Sequence, residues 1–230
     1  MELLSFGDTG WGDELLRATF MTLLVAIAAF LFGFFISFLI VPLKLSNKKI
    51  FKYLGNTYTT IFRGVPELLV IYLLFFGGSG AVMFVAKIFG YKEFIEINAF
   101  LTGSVSIGLI SGAYTTEVLR GAIESINKGQ FDGAKSLGLK KTTYYVFVIA
   151  PQVLRLSLPN LSNVWQLTLK DTALISVTGL VEIMRQSYIA SGATRNPLLF
   201  YCFAAFLYLI LTTISLKYFN KLEKKYNFQQ

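Results

Sequence analysis

An all-α integral membrane fold is what this sequence predicts. Three observations point to it: a high apolar content, long runs without charge, and basic residues gathered into alternate connections. Of 230 residues, 54% are hydrophobic and 15% charged, more apolar than ordinary soluble domains. A bilayer's hydrocarbon core is about 30 Å thick, so a crossing helix needs about 20 mostly apolar residues rising about 1.5 Å each. Residues 18–41, 68–86, 97–116 and 196–216 contain no Asp, Glu, Lys or Arg. A further apolar stretch, 156–181, is interrupted only by Lys170 and Asp171. The expected spans are 15–42, 62–86, 97–120, 154–178 and 196–219, all in one domain covering 1–230.

Twenty-one Lys and Arg against thirteen Asp and Glu give a net charge of +8, which in a soluble protein would suggest nucleic acid. The distribution argues against that. Lys44, Lys48, Lys49 and Lys52 follow the first span, and Arg120, Lys128, Lys135, Lys140 and Lys141 follow the third. Lys217, Lys221, Lys224 and Lys225 follow the last. The opposite loops hold only Lys87, Lys92, Arg185 and Arg195. Positive loops stay in the cytoplasm, so the N-terminus is expected outside and the C-terminus inside. Five spans satisfy both ends.

The segment before the first span carries Glu2, Asp8 and Asp13 with Leu3, Leu4, Phe6 and Trp11. It reads as an interfacial segment on the outer face or as a disordered tail, and not as a signal peptide, which needs a basic start. Asp8, Thr9 and Gly10 spell the aspartic protease triplet, but a catalytic dyad needs two converging carboxylates on a preformed scaffold. The single cysteine, Cys202, has no intrachain partner, and histidine is absent. Disulfides, thiolate metal clusters and most acid–base catalysis are thereby excluded, and no cofactor is expected on this chain.

Pro42 marks the expected end of the first helix, with the basic run to Lys52 as an inner loop. Arg63, Gly64, Val65 and Pro66 then open the second span, where Arg63 and Glu67 would face each other at i,i+4. Glu67 is either half of an interfacial ion pair or a negative charge offered to a passing substrate. Gly77, Gly78 and Gly80 end this span, and 81–98 makes an outer connection. The third span ends in Gly112, Ala113, Tyr114, Thr115, Thr116 and Glu117, and Glu117 pairs naturally with Arg120 at i,i+3. A carboxylate at membrane depth is also a functional candidate.

Residues 127–150 form a conspicuous cytoplasmic segment. Its Gly129, Gln130, Phe131, Asp132, Gly133, Ala134, Lys135 and Ser136 approach a phosphate-binding loop, yet Ala134 stands where that loop needs glycine and no strand precedes it. ATP binding by this chain is not expected. Asp132 should lie near the start of a short helix, where its charge suits the macrodipole, with Gly138 as the stop. Phe131, Leu137 and Leu139 would supply apolar knobs for a partner.

From Gly129 through Ala134, Leu137, Gly138 and Leu139 to Pro151 and Pro159, the chain resembles the EAA signature of ABC importer permeases. Here the pattern reads Asp132, Gly133, Ala134, then Gly138, Ala150, Pro151 and Leu158, Pro159. The acid is shortened and the first alanine is glycine. Arg63, Gly64, Val65, Pro66 and Glu67 resemble the opening of the second span in polar amino acid permeases. Tyr114 to Glu117 with Arg120, Gly121 and Ala122 are similar to their third-span ending. Asn163, Val164, Trp165, Gln166 and then Leu169, Lys170, Asp171, Thr172, Ala173 and Leu174 resemble the fourth span of the arginine, histidine and opine branch.

The resemblance implies a type I importer permease, MetI-like, with five spans and cytoplasmic coupling helices. It implies a non-catalytic subunit that transports polar amino acids, cationic ones such as arginine above all, with glutamine as an alternative. The implied partners are two ATP-binding subunits carrying ATP-Mg, a second permease subunit, an extracytoplasmic amino acid-binding protein, the amino acid substrate and membrane lipid, and no nucleic acid. Gly129, Gln130, Asp132, Gly133, Ala134, Leu137 and Gly138 are the candidate ATPase contacts. Glu67, Tyr114, Glu117, Gln166, Lys170, Asp171 and Thr172 are the candidate substrate path. Lys170 and Asp171 cost a few kcal/mol each in lipid, so they should face protein or water. Asp171 attracts an amino or guanidinium group, or else pairs structurally with another helix. A secondary transporter would need an inverted repeat, which five spans do not supply. An intramembrane protease would need a catalytic set that a chain without histidine or paired membrane aspartates lacks.

Overall fold

The computed structural model describes residues 2–7, 10–90 and 98–227. Asp8 and Thr9 of the protease-like triplet, and Lys92 of the outer connection, lie outside them. Every regular element among the described residues is helical. Three are long and apolar enough to cross a membrane by themselves: Gly12–Lys44, Glu67–Phe84 and Pro197–Tyr226.

Helix α1 spans Gly12–Lys44 and runs through Pro42 without ending there. A proline in the last turn gives up one hydrogen bond and leaves the rest of the ladder intact. The basic run beyond it is not a loop. Lys49–Gly64 forms α2, which turns back along α1 closely enough that a Cβ on Gly55 would sit 2.6 Å from the Lys44 Cγ. Val65 (φ −90°, ψ 137°) and Pro66 are extended, because the proline ring disfavours helical backbone in the residue before it. The chain then resumes as α3 (Glu67–Tyr72), a π-type turn (Leu73–Gly77) and α4 (Gly78–Ile88). The expected Arg63 and Glu67 pairing fails for this reason: they lie on opposite sides of a helix break.

Helix α5 (Ala99–Glu124) starts at Asn98, whose side chain accepts from the Phe100 and Leu101 amides. It packs tightly on α1. A Cβ on Gly33 would lie 2.7 Å from the Gly108 carbonyl oxygen and the Gly112 nitrogen, so glycine allows the two backbones to meet. Helices α6 (Lys128–Ser136) and α7 (Lys141–Tyr144) form the coupling segment, and Tyr145–Ile149, a second π-type turn, leads into α8 (Ala150–Asp171).

The fourth span is broken. After Asp171 the chain tightens into a 3₁₀ turn, Thr172–Thr178, then passes Gly179 (φ +90°) into α9 (Ile183–Thr194). Arg195 (φ 57°) caps α9, and α10 (Pro197–Asn227) returns across the bundle. The core is shared among the spans: Val25, Ala29, Ile71, Ile107 and Ile175 meet at its centre. Beside it, Ala26, Trp165 and Leu169 join α1 to α8, with Phe30 edge-on to Trp165 at 5.4 Å. At the opposite end Leu3, Leu4 and Trp11 pack on Leu15, Ala190 and Phe200, so the leading segment has a structural seat.

Candidate functional site

Two helix breaks face one another. Glu67 is the first residue of α3, after the extended Pro66, and Asp171 is the last of α8, before the chain tightens. α3 packs against the 3₁₀ turn, and the half-buried Glu67 carboxyl lies near enough for its charge to be felt at half-buried Asp171. Lys170, exposed beside Asp171, adds one positive charge, and half-buried Gln166 stands one turn before it. The assembly carries formal charges of −1, −1 and +1 at interrupted backbone, where transporters commonly hold polar ligands. Among the described residues, no group of three His, Cys, Asp or Glu is arranged to hold a metal ion.

Thr172 lies one residue further on and is fully buried. Its hydroxyl donates to the Leu169 carbonyl at 2.7 Å and lies 3.3 Å from the Tyr208 hydroxyl. Tyr208 in turn donates to the Glu182 carboxyl at 3.0 Å. Glu182, also fully buried, accepts from the Met184 and Arg185 amides at 2.9 and 2.7 Å and so caps the start of α9. The Ile183 amide donates to Thr22 at 3.2 Å. Thr22 is ten residues into α1, about 15 Å along it at about 1.5 Å per residue. The break of the fourth span is therefore inside the bundle, and its free amides are satisfied by side chains, as non-helical backbone at that depth requires.

Glu182 and Tyr208 were not legible as site residues. Glutamate is a poor signal for a helix cap. The one available sign was a lone acid within the apolar run 173–184, beyond the expected end of the span.

Glu117 and Tyr114 are drawn elsewhere. Lys44, buried at the end of α1, pairs with the Glu117 carboxylate and donates to Thr59 at 2.7 Å. Arg120 reaches the other Glu117 oxygen at 2.9 Å and also holds Glu124 at 2.5 Å. Arg63, freed from Glu67 by the break, approaches Glu117 to 3.7 Å and lies over the Tyr114 ring at 5.3 Å. Three cations from α1, α2 and α5 thus converge on one carboxylate and tie the three helices together. The expected pairing with Arg120 is present. Lys44 and Arg63, which no local spacing connects with Glu117, are the partners that sequence reasoning missed.

The coupling segment is less open than its apolar pattern suggests. Phe131 and Leu139 pack with Ala134 on Ile126, Tyr144 and Ile149, a small core of the segment's own. Of the three expected knobs only Leu137 remains exposed, at 79%. Helix α6 begins at Lys128, four residues before Asp132, so Asp132 lies past the first turn, where the macrodipole acts most. Gly138 (φ +68°) does stop the helix, its left-handed backbone letting the Leu139 amide bond back to Ala134 at 3.2 Å. Gly129, Gln130 and Gly133 lie along the exposed side of α6.

Residues 29–225 match the family of binding-protein-dependent transport system inner membrane components. The chain is 44% identical over 224 residues to the octopine transport system permease protein OccQ of Agrobacterium tumefaciens, covering 97% of this chain and 94% of that protein. It is 36% identical to the arginine ABC transporter permease protein ArtQ of Haemophilus influenzae, with 91% of each covered. Its fold matches a crystal structure of an amino acid ABC transporter with histidines at a TM-score of 0.79 and 27% identity, covering 94% of this chain and 95% of that one.

Proposed function

We propose that this chain, which belongs to the family of binding-protein-dependent transport system inner membrane components, is the permease of an ABC importer that favours cationic amino acids of the arginine type. The permease function and type I fold follow from the family and the relatives. The substrate's charge rests on a single observation, the apposition of Glu67 and Asp171 at two helix breaks. A guanidinium or ammonium group entering between them would gain charge-assisted hydrogen bonds, each typically worth about 1.5–3 kcal/mol. Lys170 is available for the α-carboxylate that every amino acid carries, with Gln166 one turn before it, while buried Thr172 supports the break from behind. The names of relatives such as the arginine permease ArtQ support the same class.

In this reading Glu117 and Tyr114 brace the inner end of the path, their charge and ring already engaged by Lys44, Arg120 and Arg63. The N-terminus is outside and the C-terminus inside, and a second permease closes the path over the Glu67 and Asp171 face. ATP is hydrolysed on two partner subunits that meet α6 near Gly129, Gln130, Asp132, Gly133, Leu137 and Gly138, while Ala134 supports that surface from beneath. An extracytoplasmic binding protein delivers the substrate.

Competition for labelled arginine uptake in the reconstituted importer tests the substrate class. Arginine, lysine and histidine should outcompete glutamine and glutamate, and Asp171→Asn, nearly isosteric, should raise the arginine KM about tenfold or more. Preference for glutamine or glutamate by the unaltered importer would refute the cationic reading.

A further inference from the structure

Helix α1 holds α8 closely at Phe30 and Trp165, but toward their cytoplasmic ends a cavity of about 760 Å³ opens between them. Phe34 and Phe38 of α1 and Leu45 just past its end form one wall, Tyr145 and Ile149 of the π-type turn form the other, and Ile123 of α5 lies between them. From Phe34 to Leu45 the wall runs about 16 Å at about 1.5 Å per residue, roughly half of a hydrocarbon core about 30 Å thick. The groove therefore extends over one leaflet. Phe38, Tyr145 and Val146 at its rim are exposed, so it opens sideways through apolar side chains. Water has no polar partners in such a space, so it suits an apolar occupant, and the surrounding bilayer offers acyl chains at that depth.

Charge identifies the occupant more closely. Both walls continue into exposed lysines: Lys48 and Lys49 follow Leu45 within four residues, and Lys140 and Lys141 precede Tyr145 by five and four. No acidic residue occurs between 15 and 66 or between 133 and 170. The acids of α5, Glu117 and Glu124, are already held by Lys44 and Arg120. We propose that this groove is a specific site for an anionic phospholipid of the inner leaflet, one acyl chain lying between α1 and the start of α8 and the phosphate held by the lysines at its mouth. Attraction of an anionic headgroup to clustered basic residues at the interface supplies the selectivity, and the apolar cavity supplies the seat. The inference rests on the orientation proposed above but not on the identity of the transported amino acid.

The test is to reconstitute the importer into vesicles of phosphatidylethanolamine and phosphatidylglycerol, one of the two carrying a diazirine on its acyl chain, and to map adducts after illumination. Labelling by phosphatidylglycerol should concentrate on residues 34–45 and 145–154, several-fold above the exposed α10 face around Phe206 and Leu209. Ile123→Trp, which fills the space between the walls, should reduce groove labelling several-fold and leave the α10 labelling unchanged. The double variant Lys48→Gln with Lys141→Gln should abolish the preference for phosphatidylglycerol over phosphatidylethanolamine. Equal labelling of groove and α10, or groove labelling indifferent to both variants, would overturn the proposal. So would benzoylphenylalanine at position 38 crosslinking mainly to a second copy of this chain or to another subunit instead of lipid. Because the readout is an adduct and not uptake, a failure of the substrate assignment leaves this result interpretable.

Discussion

Replacing Glu182 with alanine should destabilise the permease more than any other single loss of a polar side chain near the fourth span. The carboxyl accepts two amides at the start of α9 and the Tyr208 hydroxyl, all at 2.7–3.0 Å, and is fully buried. Loss of a helix cap costs about 0.5–2 kcal/mol. A buried hydroxyl left without its acceptor costs about 1–3 kcal/mol, toward the lower end here because Thr172 lies 3.3 Å from Tyr208. Together these give roughly 2–4 kcal/mol, a shift of roughly 30- to 700-fold in the unfolding equilibrium. Unfolding in mixed micelles, followed by circular dichroism, measures the change. Glu182→Gln keeps one acceptor oxygen and should lose less. Adding Tyr208→Phe to Glu182→Ala should recover part of the loss, since it removes the orphaned hydroxyl along with its need for a partner. A Glu182→Ala variant within about 0.5 kcal/mol of the parent, or strict additivity with Tyr208→Phe, would refute this account of the break.

Other expectations follow from equally specific contacts. Gly33→Val would drive a Cβ to 2.7 Å from backbone atoms of α5 that cannot move aside, so folded protein recovered in detergent should fall sharply, while Gly121→Ala, with open space around its Cβ, should be silent. Lys44→Met leaves Glu117 with Arg120 but removes its most buried partner; a double-mutant cycle with Glu117→Gln should show coupling of about 2 kcal/mol, and coupling near zero would mean the cluster contributes no tie. Single cysteines at Ser5 and Asn127 in a Cys202→Ala background should label from outside and inside respectively, and strong external labelling at Asn127 in intact cells would invert the proposed topology.

Much of the architecture was legible because membrane spans obey a local rule. A run such as 18–41, free of charge, leaves the backbone no alternative to a helix, and the structure forms one there, Gly12–Lys44. Glu117 and Arg120 were likewise readable, being three residues apart on one helix. The readings that failed share a different cause. The pairing of Arg63 with Glu67 assumed that the helix continued through Pro66, and the docking role of Phe131 and Leu139 assumed that no apolar surface within the chain was waiting for them. Lys44 reaches Glu117 across 73 residues, and Glu182 reaches Tyr208 across the turn between α9 and α10. No periodicity in the sequence encodes either distance.

By itself, the sequence determined that this chain is an all-helical membrane protein, because hydrophobic transfer and hydrogen-bond satisfaction within each helix are properties of consecutive residues. Only the tertiary structure decided where those helices break, which carboxylates meet, and which are neutralised. Glu67 and Asp171 are brought together by α3 packing on the turn after α8, while Glu117, equally acidic and equally deep by local reading, is drawn into a cluster with Lys44, Arg63 and Arg120. The physical reason is that a charge within a bundle takes its role from the nearest opposite or like charge in space, and those neighbours come from other helices whose approach is set by packing at sites such as Gly33 and Gly112.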